Sequence, residues 1–416
     1  MAKRFEMNWK KYTLDEINDR IQLAIDGNIN FESNKVIGVP GTFLDEDIFH
    51  KNARFLKESP FLRTLIANPN HIGCHTLTEN NSEPYFYGTQ QIEREVIGIC
   101  SEEIFKAEAK SCDGYIAPGG TEANIQAMWV YRNLFIEKYN ARPDEIAVVY
   151  SKDSHYSMPK GANILSINTL EVEVHNSTRA INLNDLENQL NLALANGIKY
   201  FILIQNMATT MFGSIDDIES ITAVFDQKQI IYRLHIDAAF GGFIVPFSDN
   251  DHGISFKNEK ISSITLDAHK MLQTPYGTGV LLMRKNLLKH ATTKEARYVK
   301  GGDVTLCGSR SGANAVALWM ILSIHGSDGW KQHIKKLINL TSHLCRGLDS
   351  LGIHYYRNPS VNIVTIRAEY IPLTIAKKYG LVPNDTAGEV KWWKVVVMQH
   401  VQQSLLDELI EDLKEV

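Results

Sequence analysis

The sequence predicts an α/β protein built on a mostly parallel sheet covered on both faces. Three observations predict it. Between Gly114 and Asp237, short apolar runs alternate with longer stretches at helical spacing. Residues with reactive side chains stand at or just past the carboxyl ends of such runs, as at Asp237 and Lys270, where sites on parallel sheets collect. After about Lys300 the pattern changes, as a second, smaller α/β domain would require.

Taken in order, Thr13-Leu14-Asp15-Glu16 reads as a capping box that opens a helix with Ile17, Ile21 and Ile25 on one face, closed by Gly27. Residues 28–60 are mixed, with a turn at Pro40-Gly41-Thr42. Residues 68–87 form a polar, aromatic stretch holding His71, His75, Asn80, Asn81 and Tyr85, which suits either ligand contacts or a surface connection. Thr89 is expected to cap a helix carrying Ile92, Val96, Ile99 and Ile104.

Strands are then expected at 114–117, 145–150, 166–172, 200–205 and 231–237, with helices at 122–136, after His155, at 185–195 and at 216–228. A further strand-like run, Ser263-Ile264-Thr265-Leu266-Asp267-Ala268-His269-Lys270, ends on a lysine and precedes a turn with Gly277 and Gly279. Beyond it come a long amphipathic helix over 330–351 closed by Gly352, strands near His354, Val361 and Val395, and a last helix over 404–415. The expected division is an N-terminal segment over 1–60, a large domain over 61–300 and a small C-terminal domain over 301–416.

Composition narrows the function. The chain has 416 residues, 44% hydrophobic and 22% charged, which is ordinary for a globular protein. A formal net charge of -5 offers no field for nucleic-acid phosphates. The five cysteines (Cys74, Cys100, Cys112, Cys307, Cys345) are scattered without a CxxC pair, which suits reduced thiols and not a disulfide framework or zinc site. The N-terminal residues lack the apolar core of a leader, and no apolar run approaches the roughly 18 residues that span a bilayer. A cytoplasmic protein with no metal, nucleic-acid or membrane partner is expected.

Chemistry concentrates in a few motifs. Ile116-Ala117-Pro118-Gly119-Gly120-Thr121-Glu122-Ala123-Asn124 is a strand, a glycine turn and a helix start, whose backbone N–H groups and Thr121 hydroxyl suit a phosphate. Its bland reading is a simple turn. His155 follows a strand end, where an imidazole can stack on a flat ring or cap a helix. Ala208-Thr209-Thr210 follows another, where a hydroxyl can meet a phenolic oxygen or merely decorate a loop. Asp237 ends an apolar strand, where an unpaired carboxylate is costly. A pyridinium would partner it, and His235 or an arginine is the alternative. The small residues Ala238 and Ala239 after it allow close approach of a ring. Lys270 supplies an amine able to form a Schiff base, and His269 beside it can donate to a phosphate.

In this order, the glycine turn at 119–124, His155, Ala208-Thr209-Thr210, His235-Ile236-Asp237-Ala238-Ala239 and His269-Lys270 resemble the pyridoxal-phosphate-dependent group II amino-acid decarboxylases. The resemblance runs from about Pro69 to Arg310. It implies the fold-type-I architecture, with a mostly parallel seven-stranded sheet in the large domain, and a homodimer with active sites at the subunit interface. It also implies pyridoxal 5'-phosphate as cofactor and an amino acid as substrate. By the same resemblance, Lys270 is the Schiff-base lysine and Asp237 pairs with the pyridine nitrogen. His155 stacks on the ring, with Ala239 on its other face. Thr209 lies near the phenolic oxygen, and Gly120, Thr121 and His269 hold the phosphate. Tyr298, in Arg297-Tyr298-Val299-Lys300, matches the family's proton-donating loop tyrosine, or is an ordinary loop residue.

The short N-terminus and Cys307-Gly308-Ser309-Arg310-Ser311-Gly312 resemble the compact members: bacterial histidine, plant serine and archaeal tyrosine/aspartate decarboxylases. Three positions depart. Ala208 replaces a usual glycine, a change expected to be sterically mild. Lys394 and Gln399 stand where archaeal relatives usually carry arginine and proline, so the archaeal substrate preference does not transfer. Phe240-Gly241-Gly242-Phe243-Ile244-Val245-Pro246-Phe247 also resembles the sphingosine-phosphate lyases, which makes an aldehyde-forming carbon–carbon lyase on an amino-alcohol phosphate the rival reading. A silent cofactor-binding protein is a third, disfavoured by the complete set Asp237, His155 and Lys270.

Overall fold

The computed structural model describes residues 7–28, 59–77, 84–292, 303–386 and 388–415. Pro40-Gly41-Thr42, Asn80, Asn81 and Tyr298 lie outside the described residues.

Seven strands form the main sheet: β1 (Cys112–Ala117), β2 (Ile146–Ser151), β3 (Asn168–Val172), β4 (Tyr200–Asn206), β5 (Ile231–Asp237), β6 (Ile261–Asp267) and β7 (Gly279–Arg284). Their order is β1-β7-β6-β5-β4-β2-β3. β2 runs parallel to both β3 and β4, whereas β7 runs antiparallel to β1 and β6. Every residue of β1, β2 and β6 is buried, as strands covered on both faces must be. The outermost β3 alternates at its end and exposes three of its five residues. The expected fold class holds.

By internal packing the chain divides into two units, Met1–Pro143 with Arg233–His235 and Ser255–Trp330, and Asp144–Tyr232 with Ile236–Ile254 and Lys331–Val416. In the first, helix Leu14–Asp26 opens with the expected capping box: the Thr13 hydroxyl accepts from Glu16 N–H, and the Glu16 carboxylate accepts from Thr13 N–H. This helix packs on helix Tyr87–Gly98 at Gly88, where a Cβ would lie 1.9 Å from the Ala24 carbonyl oxygen. Thr89 does not cap that second helix. It sits inside its first turn, and its hydroxyl faces the Phe86 carbonyl and His71.

A helix not expected from the sequence precedes Trp330. Residues Gly312–Ser350 are helical on both sides of a break at Gly326, whose φ of 62° and ψ of 176° end the first segment. Residues 312–325 are apolar almost all round and mostly buried, so no amphipathic period marks them. A Cβ on Gly326 would lie 2.9 Å from that of Lys11. The carbonyls left at the break are met by the chain's start: Trp9 Nε1 donates to Leu322 O and Tyr12 N to Ser323 O, both at 2.9 Å.

In the second unit, helices Leu183–Ala195 and Ile218–Gln227 start at Asn182 and Asp217, whose side chains accept from backbone N–H groups of the first turn. The C-terminal part holds a four-stranded antiparallel sheet of β8 (Tyr355–Tyr356), β9 (Ile363–Arg367), β10 (Val382–Thr386) and β11 (Glu389–Val396), ordered β8-β9-β11-β10. Leu344, Leu348, Val364, Ile366, Val395, Leu406 and Leu409 pack its core with helix Gln403–Lys414. Strand β10 and helix Leu373–Lys378 are additions to the expected elements.

Candidate active site

In the first unit, β1 ends at Ala117 and helix Gly120–Tyr139 begins three residues later. No side chain caps this helix at Gly119, and a Cβ there would meet nothing within 4 Å. Its first N–H groups are therefore uncovered by a side-chain cap, with space in front of Gly119, as a bound phosphate needs. The turn is held close from the other side. A Cβ on Gly279 would lie 2.6 Å from the Gly119 carbonyl carbon, so only glycine lets β7 start there.

Strand β6 ends at Asp267, not at the lysine, and Lys270 sits on the single helical turn Ala268–Met271 that follows. Lys270 Nζ lies 3.2 Å from Asp267 Oδ2, and its side chain keeps 31% of its exposure. The amine is thus held at a strand end yet reachable. His269 Nδ1 is buried without a hydrogen-bond partner, 3.6 Å from Asp267 Oδ1. Burial lowers the His269 pKa, with Lys270 adding to the effect and Asp267 opposing it. Its ring lies 4.8 Å from that of the highly exposed Tyr276. Asp267 was not singled out from the sequence, although it carries the signal used for Asp237: a carboxylate closing an apolar strand.

His235, weighed as a bland partner for Asp237, has other work. Its Nδ1 faces Ser263 Oγ at 2.6 Å and its Nε2 faces Asn124 Oδ1 at 2.9 Å. These bonds tie β5, β6 and helix Gly120–Tyr139 together inside the first unit.

In the second unit, Asp237 closes β5 and is buried. Its Oδ1 accepts from Ala239 N at 3.1 Å, and its carbonyl accepts from Met207 N at 2.9 Å. A Cβ on Gly241 would lie 2.1 Å from Met207 O, so the small residues after Asp237 let two strand ends meet. The next residue, Ala208, has a φ of +73°. The exchange of glycine for alanine is therefore not mild: its Cβ sits in the left-handed region, which costs an L-residue roughly 1–2 kcal/mol.

Thr209 is buried in the turn back from β4. Its hydroxyl meets Ser214 Oγ at 2.7 Å and accepts from Ser214 N at 3.1 Å. His155 is half-buried beyond β2; its Nδ1 faces Ser157 Oγ at 2.9 Å, and its ring lies 4.0 Å from that of Tyr156.

His71, His75 and Glu93, all buried in the first unit, lie close enough to suggest a metal site. The carboxylate is already spoken for. Glu93 Oε1 takes Arg310 Nη1 and Ile116 N, and Oε2 takes His71 Nδ1 at 2.9 Å. Arg310 also donates to the carbonyls of Gly73 and Ile116. The Arg310 charge holds Glu93 well below the usual carboxylate range against burial, and burial holds both histidines below theirs. A cation placed beside that guanidinium would be repelled, so we read the cluster as a structural peg. Tyr85, from the same stretch, is exposed.

Pyridoxal phosphate needs an anion cradle, an accessible amine and a buried carboxylate, and the Gly119–Gly120 turn, Lys270 and Asp237 are of those kinds. Comparisons with known proteins agree. Residues 70–354 match the pyridoxal-dependent decarboxylase conserved domain. A tryptophan decarboxylase of Clostridium sporogenes is 47% identical over 406 residues, covering 98% of this chain and 97% of that protein. A probable L-tyrosine/L-aspartate decarboxylase of Methanosphaera stadtmanae is 30% identical, covering 89% and 95%. Among solved structures, L-methionine decarboxylase from Streptomyces sp. 590 shares the fold with a TM-score of 0.70 at 19% identity, covering 97% of this chain and 94% of that one. This chain belongs to the pyridoxal-dependent decarboxylase family, and its reaction is the cofactor-dependent release of carbon dioxide from an amino acid.

Proposed function

We propose that the substrate is an aromatic L-amino acid, tryptophan first, converted to its amine. The observation that carries this reading is the 47% identity to a tryptophan decarboxylase along almost the whole chain, against 30% for the tyrosine/aspartate enzyme. The departures at Lys394 and Gln399 also point away from the archaeal branch.

When bound, the cofactor supplies an electron sink for the pair released as the Cα–carboxylate bond breaks. The chain's own residues do the rest. Lys270 would hold the cofactor through its amine, and its partial exposure leaves that amine within reach of a substrate. Asp237 keeps the pyridine nitrogen protonated, and its burial makes that charge pairing effective. His155 would cover one ring face and Ala239 the other. Thr209 would face the phenolic oxygen. Gly120, Thr121 and His269 hold the phosphate, in keeping with the uncapped helix start and the unpartnered His269 Nδ1. Tyr298, outside the described residues, returns the proton to Cα.

The working form in this reading is a cytoplasmic homodimer, divided into segments 1–60, 61–300 and 301–416. All five cysteines are free, and no described helix is long and apolar enough to cross a membrane. Sedimentation velocity on the purified protein tests the dimer.

The deciding experiment is a carbon dioxide release screen over the twenty amino acids, with aldehyde formation from common amino-alcohol phosphates measured in parallel. Release from tryptophan above all others is expected. Release from aspartate or histidine alone would overturn the substrate, and cleavage of an amino-alcohol phosphate would restore the lyase reading.

A further inference from the structure

A buried polar network in the second unit has no part in the roles above. Asp216 and Asn206 are 4% and 2% exposed. Asp216 Oδ2 accepts two hydrogen bonds from one residue, from Asn206 N at 2.7 Å and from Asn206 Nδ2 at 2.8 Å. The same amide nitrogen also donates to Ser154 Oγ at 3.0 Å and lies 3.3 Å from Ser151 Oγ. The two serine hydroxyls meet at 3.1 Å, and Ser154 N donates to Ser151 O at 2.8 Å. Ser154 is bonded directly to His155. On the far side Ser157 N donates to His155 Nδ1 at 3.3 Å, so Ser157 holds the imidazole while the turn anchored at Ser154 holds the backbone just before it.

We propose that Asp216 and Asn206 are positioning residues that set the orientation of His155 through Ser154. The proposal rests on the reading that His155 faces the cofactor. Burying a carboxylate is expensive, and burial raises Asp216 to about 6, with Asp153 adding to the rise. Its position explains the burial. The carboxylate fixes which way the Asn206 amide points, because only its acceptor face is turned to the –NH2 group. A fixed amide then leaves one N–H for the turn 151–155. Asp153 in that turn is itself paired to Arg179, whose guanidinium lies over Phe212, so the turn is held at two points. A ring-covering side chain works only if a surrounding shell locks its rotamer.

The test is a double-mutant cycle read on the dissociation constant of pyridoxal phosphate and the absorbance maximum of the bound cofactor. Asn206→Ala should weaken binding roughly tenfold, as loss of an orienting partner commonly does, and shift the maximum in the same direction as His155→Ala. Asp216→Asn, which keeps an acceptor, should lose less than Asp216→Ala. The double variant Asn206→Ala/His155→Ala should bind no more weakly than His155→Ala alone. Additive losses, or an Asn206→Ala protein that binds like the wild type, would overturn the proposal. If His155→Ala changes neither quantity, the assignment of His155 fails first and takes this inference with it. Thermal unfolding of the apoproteins separates positioning from folding. Should Asn206→Ala not fold, Ser154→Ala removes a single hydroxyl and carries the same cycle.

Discussion

Two buried carboxylates of the first unit are used in opposite ways. Glu93 is saturated: a guanidinium, a backbone N–H and an imidazole occupy its oxygens, and nothing about it is accessible. Asp267 faces Lys270 at 3.2 Å and His269 at 3.6 Å, one of them partly exposed and the other short of a hydrogen bond on Nδ1. The first arrangement holds strand β1 to a distant segment. The second is poised to take on another group. Saturation with nothing exposed marks a structural ion pair, and a partly exposed amine beside a buried carboxylate marks a place for chemistry.

That contrast can be broken or sharpened by substitution. The largest effect belongs to the lysine side. Lys270→Ala should abolish the absorbance of lysine-bound cofactor and lower turnover on the order of a thousandfold or more, while the apoprotein melts near the wild-type temperature. Near-native turnover in this variant would sink the assignment of Lys270.

On the saturated side, Arg310→Met should leave Glu93 buried without its cationic partner. The expected cost is about 3–5 kcal/mol of stability, visible in denaturant unfolding of the apoprotein whether or not cofactor binds. A loss below about 1 kcal/mol would show that the pair is dispensable.

A third carboxylate lies between these extremes. Glu122 accepts from the Tyr115 hydroxyl at 3.0 Å, and burial raises its pKa to about 7, against Arg310 and Tyr115, which lower it. Because the folded value lies above the unfolded one near 4.5, the protonated folded form is favoured at low pH. Its contribution is fully present below about 4.5 and lost as pH rises through 7. Glu122→Gln should therefore flatten the stability profile over that window. The variant should gain roughly 2–3 kcal/mol over the wild type at pH 8. Parallel profiles in urea titrations at pH 5 and pH 8 would remove Glu122 from the account.

The smallest effect is a gain. Ala208→Gly removes a Cβ from a left-handed position and should stabilise the protein by roughly 1 kcal/mol. A lower melting temperature would mean that the methyl group packs to advantage.

Local features of the chain were legible and distant ones were not. The capping box at Thr13, the glycine turn at 119–120 and the strand closing on Asp237 depend on neighbours within a few residues, so their patterns can be read directly. The Glu93–Arg310 pair joins residues 217 apart, and no spacing rule connects them. Thr89 looked like a cap because threonine before an apolar helical run usually is one. Here His71 and the Phe86 carbonyl claim its hydroxyl, and the helix starts two residues earlier. The segment 312–325 was missed because burial on nearly all sides erases the period that announces a helix. The cost of Ala208 was misjudged because residue identity does not disclose the sign of φ.

The break at Gly326 has a practical side. Trp9 and Tyr12 finish a helix whose residues lie more than 300 positions later, so the stretch from Trp9 to Tyr12 is an end-piece for an interior segment. Anyone shortening this protein for crystallisation, or fusing a partner in place of its opening residues, would be unplugging carbonyls deep in the chain. A tag added ahead of Met1 leaves that plug seated, whereas a start codon moved past Tyr12 pulls it out.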